Sequence, residues 1–448
     1  MDSVSLQIAI QKVKTRIIPF LFILYLSAFI DRVNLSFAAA SFQKDLSLSN
    51  TAYGAGAGIF FLGYFLFEIP SNLILERTGA RKWIARIMFT WAIVSAAMMF
   101  VKTPVQFFAC RFMLGVAEAG FFPGMIFYLT NWFPAEHRAR AISKFMLASP
   151  LATVVGSPIS LAIMKYVPKL ASAMQSPWLR NLKGWQWLFM IEAMPSFIFA
   201  FVVLVYLTDR IDQAHWLTGP EKEALSFQLA EEKRKAGDRH IHNIWVAFKD
   251  PRVWLLTSIY MSMNIGNYGL DFWLPKILKS FHGIDTSKPN IYNMLPYIAA
   301  AIGMVWVGNH ADKTREVRYH IFIPCAISAA FMLGFAYFQG KSPYGALFCI
   351  TLAAVGPRAI LGPFWTLPPV FLGGSGLAAS IAFINSVGNL GGYLGPQALG
   401  VLADKTKSNV PGIVVLATAI LVTGILGLMV SNHHTHEAEE MAKEPVSA

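Results

Sequence analysis

Of the ionisable side chains inside long apolar runs, five stand out: Asp31 and Arg32 in Phe29-Ile30-Asp31-Arg32-Val33-Asn34, Arg111 and Glu118 within a single run, and Arg358 in another. An ionised group at the centre of a bilayer costs about 2.5–3.5 kcal/mol on insertion scales, so such groups are kept where they do something. Asp31 and Arg32 either neutralise each other or act separately. Adjacent residues of a helix do not face one another, which favours separate action. An arginine fork takes a carboxylate through two parallel hydrogen bonds. Glu118 follows Arg111 by two helical turns, with Gly115 between them to admit a neighbouring helix. A carboxyl pulled one way by burial and the other by a cation can titrate where a proton carrier needs it. The other reading is a structural ion pair that holds its helix in place. Arg358 is either a second carboxylate ligand or a structural counterpart of Arg111. Tyr64, Asn267, Tyr268, Trp365, Asn385 and Asn389 are polar groups in apolar segments. They suit contacts to hydroxyl, carboxylate or ring, or hydrogen bonds between helices.

The elements that position these residues follow from composition and hydropathy. The chain has 448 residues, 55% hydrophobic and 14% charged, with a mean hydropathy of +0.49. Soluble chains carry about 25% charged residues, so lipid is the solvent over most of this one. Apolar runs are expected at roughly 17–40, 52–75, 83–101, 105–130, 139–166, 187–207, 253–280, 290–309, 319–338, 343–371, 376–402 and 411–431, each long enough for a membrane helix of about 20 residues. The first run superficially resembles a signal peptide, but it is too long and contains Asp31-Arg32. The expected fold is an all-α membrane protein with twelve transmembrane helices in two pseudo-symmetric six-helix bundles. A first bundle covers 1–208, a soluble linker 209–250, a second bundle 251–432 and a tail 433–448. Lys and Arg gather at the N-terminus, at 77–86, at 138–144, in the linker and at 313–318. By the positive-inside rule this places both termini in the cytoplasm.

The net charge of +12 lies in connections and forms no basic stripe interleaved with aromatics, so nucleic acid is not the expected partner. Cys110, Cys325 and Cys349 sit in apolar stretches without metal-ligand spacing and read as buried thiols. The tail segment His433-His434-Thr435-His436-Glu437 has nothing around it to close a coordination shell, so no metal site is expected. No GxxxxGK[ST] loop occurs, which disfavours ATP-driven pumping. No nucleophile–base constellation is present either, so no enzyme, catalytic residue or cofactor is expected.

The halves repeat one another: Arg111-Phe112-Met113-Leu114-Gly115 matches Arg358-Ala359-Ile360-Leu361-Gly362, and Glu76-Arg77-Thr78-Gly79-Ala80-Arg81-Lys82 stands where Gly308-Asn309-His310-Ala311-Asp312-Lys313-Thr314-Arg315 stands in the other half. With these motifs the chain resembles the major facilitator superfamily. The segments 29–34, Gly115-Val116-Ala117-Glu118-Ala119-Gly120-Phe121-Phe122-Pro123-Gly124, Gly184-Trp185-Gln186-Trp187-Leu188-Phe189 and Ile384-Asn385-Ser386-Val387-Gly388-Asn389 are similar to its anion:cation symporter branch, whose members carry hexonates, tartrate and aromatic acids such as 4-hydroxyphenylacetate and phthalate.

The resemblance implies a monomeric inner-membrane carrier that imports a small organic carboxylate together with protons by alternating access. Its alternatives are a proton-coupled antiporter or exporter, and a transporter-like receptor for an organic acid. It implies that Arg32 binds the substrate carboxylate, that Asp31 and Glu118 exchange protons with Arg111 tuning Glu118, and that Tyr64, Trp365 and Asn385 line the pocket. Glu76, Arg77, Arg81 and Asp312 look like a cytoplasmic latch between the halves. Phe29 and Ser149 replace a tyrosine and a longer amide of the sugar-acid carriers, which keeps an aromatic or less hydroxylated acid in play. The Gly400-Val401-Leu402-Ala403-Asp404-Lys405 segment mimics the latch motif but falls at the opposite membrane face, and no gating role is expected for it.

Overall fold

The computed structural model describes residues 3–173, 176–236, 249–279, 291–314, 316–371 and 377–430. Twelve helical segments cross the molecule. The first half consists of α1 (Ser3–Asp45), α2 (Asn50–Thr78), α3 (Ala80–Ala97), α4 (Pro104–Glu118, continuing as Phe121–Thr130), α5 (Ala135–Met146, continuing as Ala148–Ala171) and α6 (Gly184–Tyr206). The second half consists of α7 (Pro251–Lys279), α8 (Ile291–Thr314), α9 (Arg318–Phe338), α10 (Pro343–Ala353, Gly356–Ala359 and Leu361–Phe371), α11 (Leu377–Gly388, continuing as Gly391–Thr406) and α12 (Val410–Leu428). Among the described residues nine segments are long and apolar enough to span a membrane on that ground alone. The other three, α7, α8 and α11, spend part of their length on polar residues such as Asn264, Asn267 and Asp271 of α7. The tail with its histidines lies outside the described residues.

The packing repeats. Within the first half α1 lies against α5 and α6, α3 against α4 and α6, and α2 against α4. Within the second, α7 lies against α11 and α12, α9 against α10 and α12, and α8 against α10. The halves meet through α1 with α7, α2 with α11 and α5 with α8. Each cross-half pair maps onto itself or another when the halves are exchanged, as a two-fold related pair of bundles requires.

Two departures from the sequence reading have physical reasons. Helix α1 begins well before Ile17, because its amphipathic start rests on a linker helix, Gly219–Ala236, where Lys12 Nζ donates to Glu221 Oε1 at 2.7 Å. Helix α4 breaks where Gly120 adopts φ +85°. A side chain there would be strained in backbone and would meet Ser71 Oγ at 2.3 Å.

Candidate functional site

Asp31 and Arg32 diverge, as adjacent helical residues must. Asp31 points into the first bundle and accepts from Trp91 Nε1 at 2.8 Å, Ser196 Oγ at 2.7 Å and Ser95 Oγ at 3.3 Å. Arg32 points toward the second half. Its guanidinium pairs with the Glu118 carboxylate and donates to the Tyr268 hydroxyl of α7 at 3.1 Å. Phe29, Phe60 and Tyr64 present ring faces to it at 5.0, 5.3 and 5.8 Å, contacts that stabilise a desolvated cation. All of these groups are buried. Among the described residues the Arg32 Nε–H nevertheless has no partner, so the fork has donor capacity left.

Arg111 takes a different place from the one beside Glu118 that its spacing predicts. It donates to the backbone carbonyls of Gly56 at 3.4 Å and Ala57 at 3.1 Å in α2. Gly115 makes this possible: a Cβ there would lie 1.9 Å from the Phe60 carbonyl oxygen, so only glycine lets α4 press against α2 this closely. Glu118 is thereby left to Arg32, with Arg111 within electrostatic range.

The other expected residues divide into two groups. Tyr64, Tyr268 and Trp365 gather round the centre: Tyr268 packs on Phe61 at 4.5 Å, and Trp365 on Tyr260 at 5.2 Å. Trp365 Nε1 and Asn267 Oδ1 are buried atoms without partners. Asn385 is engaged, since its amide and the Ser386 hydroxyl both donate to the carboxylate of Glu68 on α2, across the two halves. Asn389 is buried beside the α11 break. Arg358 is engaged as well, by Asp271 of α7 within its own half, and its guanidinium lies 5.3 Å from the Tyr297 ring. Ring and carboxylate together occupy its guanidinium.

Of the latch residues, Arg81 binds Asp209, through its backbone N–H at 2.7 Å and its side chain at 3.7 Å, so that contact stays in the first half. Glu76 and Arg77 are exposed. The Asp312 side chain lies outside the described residues. The Asp404 segment, for which no gating role is expected, bridges the halves: Asp404 accepts from the N–H of Asn50 at 3.2 Å and from the N–H and hydroxyl of Thr51 at 2.7 Å each. A carboxylate there satisfies orphan amides of the first turn of α2 and complements its dipole. Lys276 of α7 adds hydrogen bonds to Gln43 and Asn50.

Four acids escaped the sequence reading as site residues: Glu68, Glu192, Asp271 and Asp404. The first three were detectable by the same signal that singled out Glu118, a charge inside an apolar run (Phe67-Glu68-Ile69, Ile191-Glu192-Ala193, Leu270-Asp271-Phe272).

A model of the Major Facilitator Superfamily matches residues 21–396. The chain belongs to the Major Facilitator Superfamily. It is a multi-pass membrane transporter and not an enzyme. It is 44% identical over 423 residues to a putative tartrate transporter of Agrobacterium vitis, with 94% of each chain covered. It is 38% identical over 418 residues to the putative metabolite transport protein NicT of Pseudomonas putida, covering 93% of this chain and 92% of that one. Among solved structures it is similar to a bacterial homologue of the human lysosomal transporter Spinster, with a TM-score of 0.70 at 17% identity, covering 95% of this chain and 97% of the other. At that identity the likeness concerns the fold, and it agrees with two six-helix bundles.

Proposed function

We propose that this transporter imports a small organic carboxylate in symport with protons, by alternating access, with both termini in the cytoplasm of a bacterial inner membrane. The observation that carries this reading is Arg32: a buried cation at the junction of the bundles, held by Glu118 of its own half and Tyr268 of the other, with one donor unused. A substrate carboxylate can replace Glu118 on the fork, since both offer the same bidentate geometry. The displaced Glu118 then stands in an apolar interior without its counter-ion, and taking a proton is the inexpensive outcome. Substrate binding and proton uptake are linked by competition for one guanidinium. The names of the related tartrate transporters support a short hydroxy-dicarboxylate, and the absence of the sugar-acid carriers' tyrosine at Phe29 agrees with a substrate poorer in hydroxyls.

Moving one charge through 100 mV is worth about 2.3 kcal/mol. A dianion therefore needs more than two protons to be drawn in by a negative interior, which makes additional carboxyls at the site useful. The test is uptake into proteoliposomes from a mixture of sugar acids, dicarboxylates and aromatic acids under an imposed inward proton gradient, read by mass spectrometry. One acid should accumulate and be lost when the gradient is collapsed. Accumulation that is indifferent to the gradient, or driven by an outward one, would replace symport by another coupling.

A further inference from the structure

Behind the Arg32 site, inside the first bundle, lies a second polar cluster that the exchange on Arg32 does not use. Glu192 of α6 is 4% exposed, and Asn34 of α1 is 1% exposed. One Glu192 oxygen accepts from Ser160 Oγ of α5 at 2.6 Å. The Asn34 side chain lies against Glu192 and interacts with it, and among the described residues neither the other Glu192 oxygen nor the Asn34 amide has any further partner. Asp31 lies about a turn from Asn34 along α1. It is bonded to Ser196, itself a turn from Glu192 along α6, and Ser196 is bonded to Ser27 at 2.8 Å. The charged group that acts on Glu192 is Asp31, Glu118 acts in turn on Asp31, and Arg32 faces the other way. From α3 the neighbours are Trp91 and Ser95, and from α5 Ser160, all neutral.

Counting donors distinguishes the two carboxyls. Asp31 receives three hydrogen bonds, one from an indole N–H that can only donate, and this set fits an ionised carboxylate. Glu192 receives one from Ser160, and the only other group at it is the Asn34 amide, whose carbonyl end can accept when it is the end turned to the acid. That set fits a neutral acid giving its hydroxyl to Asn34 Oδ1. Two carboxyls in one apolar interior with no cation between them do not both stay ionised, and different surroundings decide which one holds the proton.

We propose that Asp31 and Glu192 form a two-carboxyl proton-binding site within the first bundle, holding one proton on Glu192 in the state described and a second on Asp31 elsewhere in the cycle. This rests on the proton-coupled reading above and adds a residue to it. Glu118 trades its proton against substrate on Arg32, whereas the Asp31–Glu192 pair binds protons out of contact with substrate. The pair would titrate as a unit, each carboxyl shifting the other.

The experiment is infrared difference spectroscopy of the full-length protein in lipid without substrate, titrated over pH, comparing wild type with Glu192→Gln and Asp31→Asn. At neutral pH, Glu192→Gln should lose a protonated-carboxyl C=O band that Asp31→Asn keeps. On acidification a second such band should grow in, absent from Asp31→Asn and kept in Glu192→Gln, where a neutral side chain replaces a neutral acid. A neutral-pH spectrum of Glu192→Gln that keeps the whole acid band, or loses a carboxylate band in its place, would overturn the assignment. Should Glu192→Gln not fold, Ser160→Ala should shift the frequency of the same band, and no shift would count equally against the proposal. Proton-driven uptake by the wild type is measured alongside. Its absence would remove the coupling reading, while the spectra decide the carboxyl pair independently.

Discussion

Helices α1 and α4 of the first half correspond to α7 and α10 of the second, and each pair carries one buried ion pair with the signs exchanged. Arginine stands on α1 and glutamate on α4 in the first half; aspartate stands on α7 and arginine on α10 in the second. The first pair opens toward the other half through Tyr268, and its arginine keeps a free donor. The second closes on its own bundle, where Arg358 also reaches the Ala354 carbonyl at 3.3 Å and the Tyr297 ring. A buried ion pair is not by itself a functional site. What separates the two is that the junction pair faces the other half, with a donor of its arginine unused, as the proposed exchange on Arg32 requires.

The largest effect that tests this contrast is Arg32→Ala. It should weaken binding of the transported acid by about thirtyfold or more, since truncating one member of a buried charge pair costs about 2–5 kcal/mol and about 1.4 kcal/mol is tenfold. Undiminished affinity would erase the distinction. Arg358→Ala should instead act on the fold, lowering stability by about 3–5 kcal/mol in thermal unfolding because Asp271 is left buried without its partner. Replacing both, with Asp271→Leu and Arg358→Met, should recover most of that loss and leave affinity intact; a double variant that folds yet no longer binds would give the second pair a role at the site. Glu118→Gln should bind and exchange the acid yet fail to concentrate it, which a counterflow assay separates from gradient-driven uptake.

Smaller effects concern the ends of the interface. Asp404→Ala should destabilise the α2–α11 contact by about 1 kcal/mol, the usual worth of a helix cap, and should raise thiol labelling of a cysteine placed at Asn50. The least is expected of Glu221→Gln at the linker helix, about 0.2–1 kcal/mol for a pair whose lysine is exposed to water. The hydrogen bond from Lys12 holds the Glu221 carboxyl below its usual range. A lowered value in the folded state means this contribution is present above the ordinary glutamate value of about 4.3 and fades as the pH falls below it. Limited proteolysis of the linker helix should accordingly quicken in acid for wild type, and the Glu221→Gln variant should cleave at the faster rate at neutral pH.

Hydrophobic runs alone located all twelve segments, because the length of a membrane helix is set by the bilayer and by the need to bond every backbone group internally. The repeat Arg-x-x-x-Gly gave the correspondence of α4 with α10, and charge inside apolar sequence marked Asp31, Arg32, Glu118 and Arg358 as exceptional. What the sequence could not supply was pairing. Arg111 is spaced to meet Glu118 and instead binds α2 carbonyls, Asn385 is occupied by Glu68, Arg358 by Asp271, and Asp404 caps a helix more than three hundred residues away in the chain. Periodicity fixes the face of a helix on which a residue lies, which is a local property of 3.6 residues per turn. Which helix that face meets is decided by how two bundles of near-equal shape pack against each other, and a few ångströms of approach, such as Gly115 allows, determine which of several nearby carboxylates a guanidinium reaches.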